Sequence, residues 1–373
     1  MLSELSERQC AYVGRFPPYY ISSIGCHLLN IENKQRQFYY HSGQLFDFRT
    51  HCFMIAPSGF SKTFFLDHFL DEDCGMISGS SIKTAFEGYM TEAGWVGQVK
   101  WSSEGTAEEK KGAAWEYRHA IIGVEEFSAI IEAMKASHSR QLDVAMLTSL
   151  DRGRVRKRVG PGSLKYTTQV SLWSGTQTMR LDLASGMGRR LLFMVFFPTE
   201  ADKRLLREMY LKGHNIRFNP FKVRKIRDLM EKKRDKIRKI QEIVIPNEVG
   251  EFIRHKRIIH YEIPIYERLL AGYSLMSQPV KKTLVLKFDK EALRLVNQEL
   301  HWRTQIKRGG RIAQVITIIR EHSNSLHINQ LRDELVDFGL DWKQSSELIQ
   351  GMVKSRIIKI DAKGTITLWR MKR

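Results

Sequence analysis

The segment APSGFSKT at 56–63 carries the clearest chemical pattern in this sequence. A phosphate loop of the form G-x-x-x-x-G-K-[ST] brings backbone close to the anion and adds a lysine charge and a hydroxyl for magnesium. Ala56 and Ser61 stand at the two glycine positions, and both are small enough for the chain to bend round a phosphate. Ala56, Pro57, Ser58, Gly59, Phe60 and Ser61 are expected to wrap the anion, backed by the N-terminus of the next helix. Lys62 is expected to reach the β- and γ-phosphates, and Thr63 to set its hydroxyl on magnesium. The pattern thus predicts ATP and Mg2+ as ligands.

A second cluster, IIGVEEF at 121–127, ends an apolar run in two carboxylates. Glu125 is expected to hold magnesium together with Thr63. Glu126 is expected to orient and deprotonate the attacking water, the base of a phosphoryl transfer. A third run ends in SGTQT at 174–178, offering Thr176 first and Gln177 next as the polar residue beside the γ-phosphate. Farther on, GMGRRLLFMVF puts Arg189 and Arg190 just ahead of a buried strand. An arginine there is expected to reach a neighbouring subunit's γ-phosphate and stabilise transition-state charge.

These side chains need a frame that brings distant segments together. The runs 51–57, 119–126 and 191–198 each hold an unbroken apolar stretch without polar alternation, and helical patterns at 63–70, 127–137 and 140–150 alternate with them. Such alternation predicts an α/β fold with a mostly parallel sheet covered on both faces. Residues 9–30 read as helix packing on that core, 38–48 as short strands, 81–90 as helix, 95–101 as strand and 102–112 as a polar loop or helix. The patterns at 263–276 and 290–302 suit a helical lid. Helices at 311–322, 329–338 and 343–355, closed by a hairpin at 356–369 around Lys363-Gly364, describe a winged helix. The expected divisions are an N-terminal helical segment at 1–48, an ATPase core at 49–200, a basic linker helix at 201–245, the lid at 246–305 and the winged-helix domain at 306–373.

Charge points to the partner. The 373 residues hold 60 Lys and Arg against 41 Asp and Glu, a net charge of +19. Such an excess favours a polyanion, because each phosphate neutralised releases counterions. RVRKRV and LKYTTQV flank GPGS and read as a hairpin. Side chains alternate along a strand, so Arg154, Arg156 and Arg158 share one face, and the tight return brings Lys165 near them. That face is the expected nucleic-acid contact. The stretch 222–240 has ten Lys or Arg among nineteen residues and reads equally as a solvated linker helix or a second contact. Cys10, Cys26, Cys52 and Cys74 form no C-x-x-C pair and read as buried thiols in a reducing compartment. The longest purely apolar run, 191–197, is too short for a bilayer, and the first residues lack an apolar signal core. A cytoplasmic protein with no membrane partner is expected, in the host cytoplasm if a virus or plasmid encodes it.

Taken in order, APSGFSKT, IIGVEEF, SGTQT and GMGRRLL resemble the AAA+ module of minichromosome-maintenance (MCM) replicative helicases and the MCM-like modules of plasmids and viruses. MCM loops also replace the glycine before the lysine with Ala or Ser. The resemblance spans 49–302 and the winged helix after it. It implies an AAA+ P-loop NTPase fold and a homo-oligomeric ring such as a hexamer. It implies Arg189 or Arg190 as an arginine finger, and Arg268 in YERLLAGYSLM as a sensor arginine from the lid. It also implies that 152–170 is the hairpin that projects Arg154, Arg156, Arg158 and Lys165 into the ring channel toward DNA. The sequence departs from the family at Ala56 for the first glycine and at Glu125 for the usual Asp, and with the phosphate loop starting at residue 56 the family's N-terminal DNA- and zinc-binding region is expected to be absent.

Three functions follow as expectations. The first is an ATP-driven DNA helicase or translocase of a mobile element or small replicon. The second is an AAA+ switch that loads or positions replication or recombination proteins on DNA. The third is a nucleotide-binding DNA scaffold whose degenerate motifs give weak turnover. Duplex unwinding separates the first from the second, and absence of hydrolysis marks the third.

Overall fold

The computed structural model describes residues 16–32, 38, 47–57, 59, 62–73, 75–77, 79–88, 90–101, 103–127, 130, 142–159, 162–177, 188, 190–196, 198, 200–211, 220–307, 310–337, 340, 342–355 and 357–369. The first elements are α1 (Pro17–Glu32), β1 (His51–Ile55), α2 (Lys62–Leu70), β2 (Lys83–Glu87), α3 (Glu92–Trp95), β3 (Gly97–Trp101), β4 (Ala107–Lys111), α4 (Ala113–Glu116) and β5 (Ala120–Val124). Then come α5 (Leu142–Arg152), β6 (Arg154–Val159), β7 (Gly162–Thr167), β8 (Ser171–Thr176), β9 (Leu191–Val195), α6 (Glu200–Leu211), α7 (Pro220–Ile237), β10 (Glu242–Val244) and α8 (Asn247–His255). The rest are α9 (Ile263–Ser277), β11 (Thr283–Val285), α10 (Lys290–Lys307), α11 (Gly310–Glu321), β12 (Ser325–His327), α12 (Ile328–Asp337), α13 (Trp342–Lys354), β13 (Ile358–Ile360) and β14 (Thr365–Leu368).

The chain is an α/β protein. Its central sheet has five strands in the order β2-β5-β8-β1-β9, with every neighbouring pair parallel. Strands β1, β5, β8 and β9 are buried at every residue, as a parallel sheet with both faces covered requires. Their apolar runs are therefore sufficient to find them.

Two sequence expectations fail here. Residues 81–90, expected as helix, hold strand β2 at the sheet edge, where Thr84 pairs with Ile121 and Phe86 with Gly123. A short, half-exposed edge strand has little periodicity of its own, and pairing with β5 overrides the local pattern. The stretch 102–112, expected as a polar loop or helix, contains β4, which pairs antiparallel with β3. Its charges lie on an exposed strand, and Lys100 faces Glu108 across the ladder, a pairing that favours the hairpin. The expected helix at 127–137 and the expected strands at 38–48 fall almost wholly outside the described residues.

Helix α1 lies on the sheet. Tyr20 packs on Trp173 of β8 with ring centroids 4.8 Å apart, and the Trp173 indole donates to Ser23 Oγ at 2.8 Å. Helix α9 crosses α1 at backbone contact. A Cβ added at Gly272 would collide with the Ser22 carbonyl, and one at Gly25 with the Gly272 carbonyl. One hydrophobic core runs from Phe16 through the sheet to Leu269, Leu295 and Trp302, so α1, α9 and α10 share it with the sheet. A second core, with Val315, Leu331, Leu335, Ile349 and Ile366, joins α11, α12 and α13 to the three-stranded sheet β12-β14-β13.

The basic helix α7 uses several of its cations internally. Arg234, and Arg238 just past the helix end, pair with Glu32 of α1 at 2.5 and 2.9 Å, and Arg227 donates to the Gly75 carbonyl at 3.1 Å. Lys233 donates to the carbonyls of Leu275 and Gln278 at 2.7 Å, capping the C-terminal end of α9. Cys26 and Cys52 are buried free thiols, and burial pushes the Cys26 thiol up to about 11. Cys10 and Cys74 lie outside the described residues. Among the described residues no helix is long and apolar enough to cross a membrane.

Candidate functional site

The strand order decides which residues meet. Because β8 sits between β1 and β5, the segments leaving the carboxyl ends of all three emerge side by side. In open α/β sheets that edge is where ligands bind. Ala56 and Pro57 leave β1 buried, and the Ala56 N–H donates to the Thr176 carbonyl at 3.2 Å. Gly59 has φ +78°, the left-handed region that glycine enters most easily, and it is exposed. Ser58, Phe60 and Ser61 lie outside the described residues.

Helix α2 begins at Lys62. The Lys62 ammonium donates to the carbonyls of Ala56 and Pro57 at 3.2 and 3.0 Å, so the cation folds back over its own loop. Its stem runs past Gly175, where a Cβ would come within 3.1 Å of Lys62 Cδ. Burial pushes the Lys62 pKa down, and the Glu126 carboxylate opposes that shift. Thr176 ends β8 fully buried, and its hydroxyl has no hydrogen-bond partner among the described residues. An unsatisfied buried hydroxyl costs free energy unless something pairs with it, so this is a position suited to an acceptor from outside the chain.

Thr63 is exposed on the first turn of α2; Glu125 is exposed and Glu126 half-buried just after β5. Asp67 joins this group, although no sequence motif marks it. It lies four residues after Thr63, hence on the same helix face. Partial burial raises its pKa, and the Glu125 and Asp71 carboxylates add to the rise, which brings Asp67 and Glu125 into one electrostatic neighbourhood. The spacing T-x-x-x-D is visible in the sequence, but only the fold sets it beside Glu125.

The arginines behave differently. Arg190 is buried and donates to Asp151 Oδ2 at 2.8 Å, so its guanidinium is held within its own chain. Arg189 lies outside the described residues. Arg268 donates to the Arg49 carbonyl at 2.9 Å, where the chain enters β1. The phosphate-type loop leaves the other end of that strand, about 17 Å away for five residues. The fold therefore does not bring Arg268 to Lys62. The tight crossing of α9 on α1 sets it against the entry end of the sheet instead.

The basic hairpin forms as expected. Strands β6 and β7 pair with Arg156 opposite Lys165, Arg158 opposite Ser163 and Arg154 opposite Thr167. Arg154, Arg156, Arg158 and Lys165 are all exposed, while Val155, Leu164 and Tyr166 are buried on the other face. Tyr166 donates to the Val96 carbonyl at 2.7 Å, and Lys157 pairs with Glu92 at 3.1 Å, which ties the hairpin to the segment before β3. Both feet are also held. The buried Arg49 donates to the carbonyls of Ser149 and Asp151, each at 2.7 Å, before β6, and to Thr168 at 3.3 Å after β7. Asp47 pairs with Arg49, and the guanidinium holds the Asp47 carboxyl below its ordinary pKa against the effect of burial. Sequence reading misses Arg49 because a lone arginine before a strand carries no pattern.

Compared with known proteins, the chain matches no family model and no curated relative.

Proposed function

We propose that this chain is an ATP-dependent nucleic-acid motor, an MCM-like DNA helicase or translocase built on an AAA+ module and working as a homo-oligomeric ring. The observation that carries the reading is the convergence of Lys62, Glu126 and the Thr176 hydroxyl, which has no partner among the described residues, beside three parallel strand ends. ATP is the substrate, and magnesium would be held by Thr63 and Glu125 with the nucleotide's own phosphates and water, the usual economy of Mg2+ sites. When bound, the ion neutralises charge on the β- and γ-phosphates.

The chain's own residues supply the rest. Lys62 releases its loop carbonyls and turns to the phosphates. Thr176 donates its hydroxyl to a γ-phosphate oxygen. Glu126 accepts the proton of the attacking water. The hairpin β6–β7 carries Arg154, Arg156, Arg158 and Lys165 against a DNA backbone, and its place in the chain just before β8 links it to Thr176. The three helices and small sheet of the C-terminal core fit a winged helix, which would add a DNA or partner contact.

Nucleotide titration tests the reading. ATP with Mg2+ should bind the parent, and Lys62→Ala should lower the affinity at least about tenfold, since the variant has no ammonium to bind the phosphates. Equal affinity in the folded variant would remove the nucleotide site and the motor with it.

A further inference from the structure

We infer that the turn after α8, residues 254–261, is a second nucleic-acid contact, a cationic surface that meets the phosphate backbone. The inference rests on nucleic acid as the partner, and not on the part played by β6–β7. Arg254, Lys256 and Arg257 are all exposed there, together with His255 and His260. Among the described residues none of the three cations has a carboxylate partner. The acids of α8, Glu248 and Glu251, stand in its first two turns, away from the cations.

The Arg257 N–H donates to the Arg254 carbonyl and the Ile258 N–H to the Ile253 carbonyl, each at 3.1 Å. That pair of bonds is the Schellman ending of a helix, with Lys256 as its C-cap and Arg257 in the next position. Glycine is the usual residue there, because the backbone is left-handed. Here the position holds an arginine at φ +52°. Basic groups in the last turn of a helix suit its dipole, which accounts for Arg254 and His255. It does not account for an arginine in a conformation that favours glycine. Such a local conflict marks a side chain retained for something other than the fold. Ile253 and Ile258 pack against the large core, and the Glu262 N–H donates to the Ile259 carbonyl at 2.8 Å, so the turn is anchored at both ends.

The turn and the hairpin are rooted at the same end of the central sheet. Glu262, buried where the turn closes, lies 3.7 Å from the Arg303 guanidinium, which donates to the carbonyl of Leu191, the first residue of β9, at 2.6 Å. Leu191 pairs with His51, the first residue of β1, and Arg49 just before it holds both feet of β6–β7. An extended polyanion is the partner that can engage both. Ile259 and Tyr261 are exposed beside the cations, as at a membrane surface, but three cations are fewer than the roughly four to eight that hold a protein on anionic lipid.

The test is fluorescence anisotropy with a labelled oligothymidylate over a salt series, with vesicles of anionic phospholipid as a second probe and a thermal melt of each variant. The parent is compared with an Arg254/Lys256/Arg257 triple alanine variant, with Arg257→Gly, and with the Arg154/Arg156/Arg158 triple alanine variant. The first should lessen the salt slope by about 2, roughly 0.7 for each phosphate no longer neutralised. Arg257→Gly should lessen it by about 0.7 while its melting temperature stays level or rises, since glycine suits the left-handed position. Parental slopes in both turn variants, alongside a flattened slope in the hairpin variant, would overturn the inference and leave the proposed function standing. Failure of the parent to bind the oligonucleotide would overturn nucleic acid as the partner, and the inference with it. Vesicle binding lost in the turn variants, with the oligonucleotide slope intact, would assign the turn to a lipid surface and overturn the inference. A melting temperature lowered by Arg257→Gly with the slope unchanged would assign the arginine to the fold and overturn it likewise.

Discussion

At the scale of single residues, the two neighbouring carboxylates after β5 sit in different surroundings. Glu126 is half-buried and acts electrostatically on Lys62, whereas Glu125 is exposed and acts on Asp67 across the mouth of the site. On the proposed mechanism, Glu126→Gln should keep ATP affinity but lower turnover about 100-fold or more, the range for removal of a general base. Glu125→Gln should instead raise the Mg2+ concentration needed for half-maximal hydrolysis. Steady-state kinetics with magnesium titration separates the two, and full activity in both variants would reduce the pair to an ordinary strand end. Both carboxylates are legible in the sequence because two acids after a fully apolar strand are conspicuous. Asp67 is not, since its significance depends on β5 and α2 being neighbours.

At the scale of elements, the hairpin and the α1–α9 pair make separate predictions. Arg156 and Lys165 stand directly opposite each other, an arrangement that destabilises a sheet pair unless an anion offsets it. Replacing Arg154, Arg156 and Arg158 by alanine should leave the fold intact and reduce the single-strand salt slope by roughly 0.7 for each phosphate no longer neutralised, about 2 in all. A salt titration of binding reads this directly. In α9, Glu267 is buried, its Oε2 has no hydrogen-bond partner among the described residues, and burial raises its pKa from 4.5 to about 7. The folded state holds a proton there that the unfolded chain has released, so this group makes stability fall as pH rises through that window. Glu267→Gln should raise the melting temperature above pH 7 and remove part of the decline between about pH 5 and 7. Thermal melts across that range check it, and identical pH profiles would show that Glu267 is ionised in the fold.

Legibility at this scale follows burial. Strands β1, β5, β8 and β9 are visible as apolar runs, and the β6–β7 hairpin as alternation around GPGS. Strands β2 and β4 are not, because half-exposed KTAFE and charged AEEKK become strands only through their partners. Family pattern assigns Arg268 to the nucleotide, but the Gly25–Gly272 crossing fixes α9 against the entry end of β1. No local feature of YERLLAGYSLM reports which end of a sheet its helix will face.

At the scale of the whole molecule, two hydrophobic cores carry two jobs in the proposed account. The larger holds the nucleotide residues and the hairpin feet in one packed body, with Arg49 bridging the start of β1 to both ends of the hairpin. The smaller, around Leu331 and Ile349, adds an attached module. On the proposed account the net charge of +19 favours a polyanion partner, though several cations of α7 are committed to Glu32, Gly75 and the end of α9. The central claim is that nucleotide turnover and nucleic-acid contact are coupled. It is tested most directly by ATP hydrolysis with and without single-stranded DNA, in the parent and in the Arg154/Arg156/Arg158 triple alanine variant. The account predicts stimulation by DNA in the parent and near-parental basal hydrolysis without stimulation in the variant. Hydrolysis in the parent that is indifferent to DNA, or stimulation that survives in the variant, would contradict it.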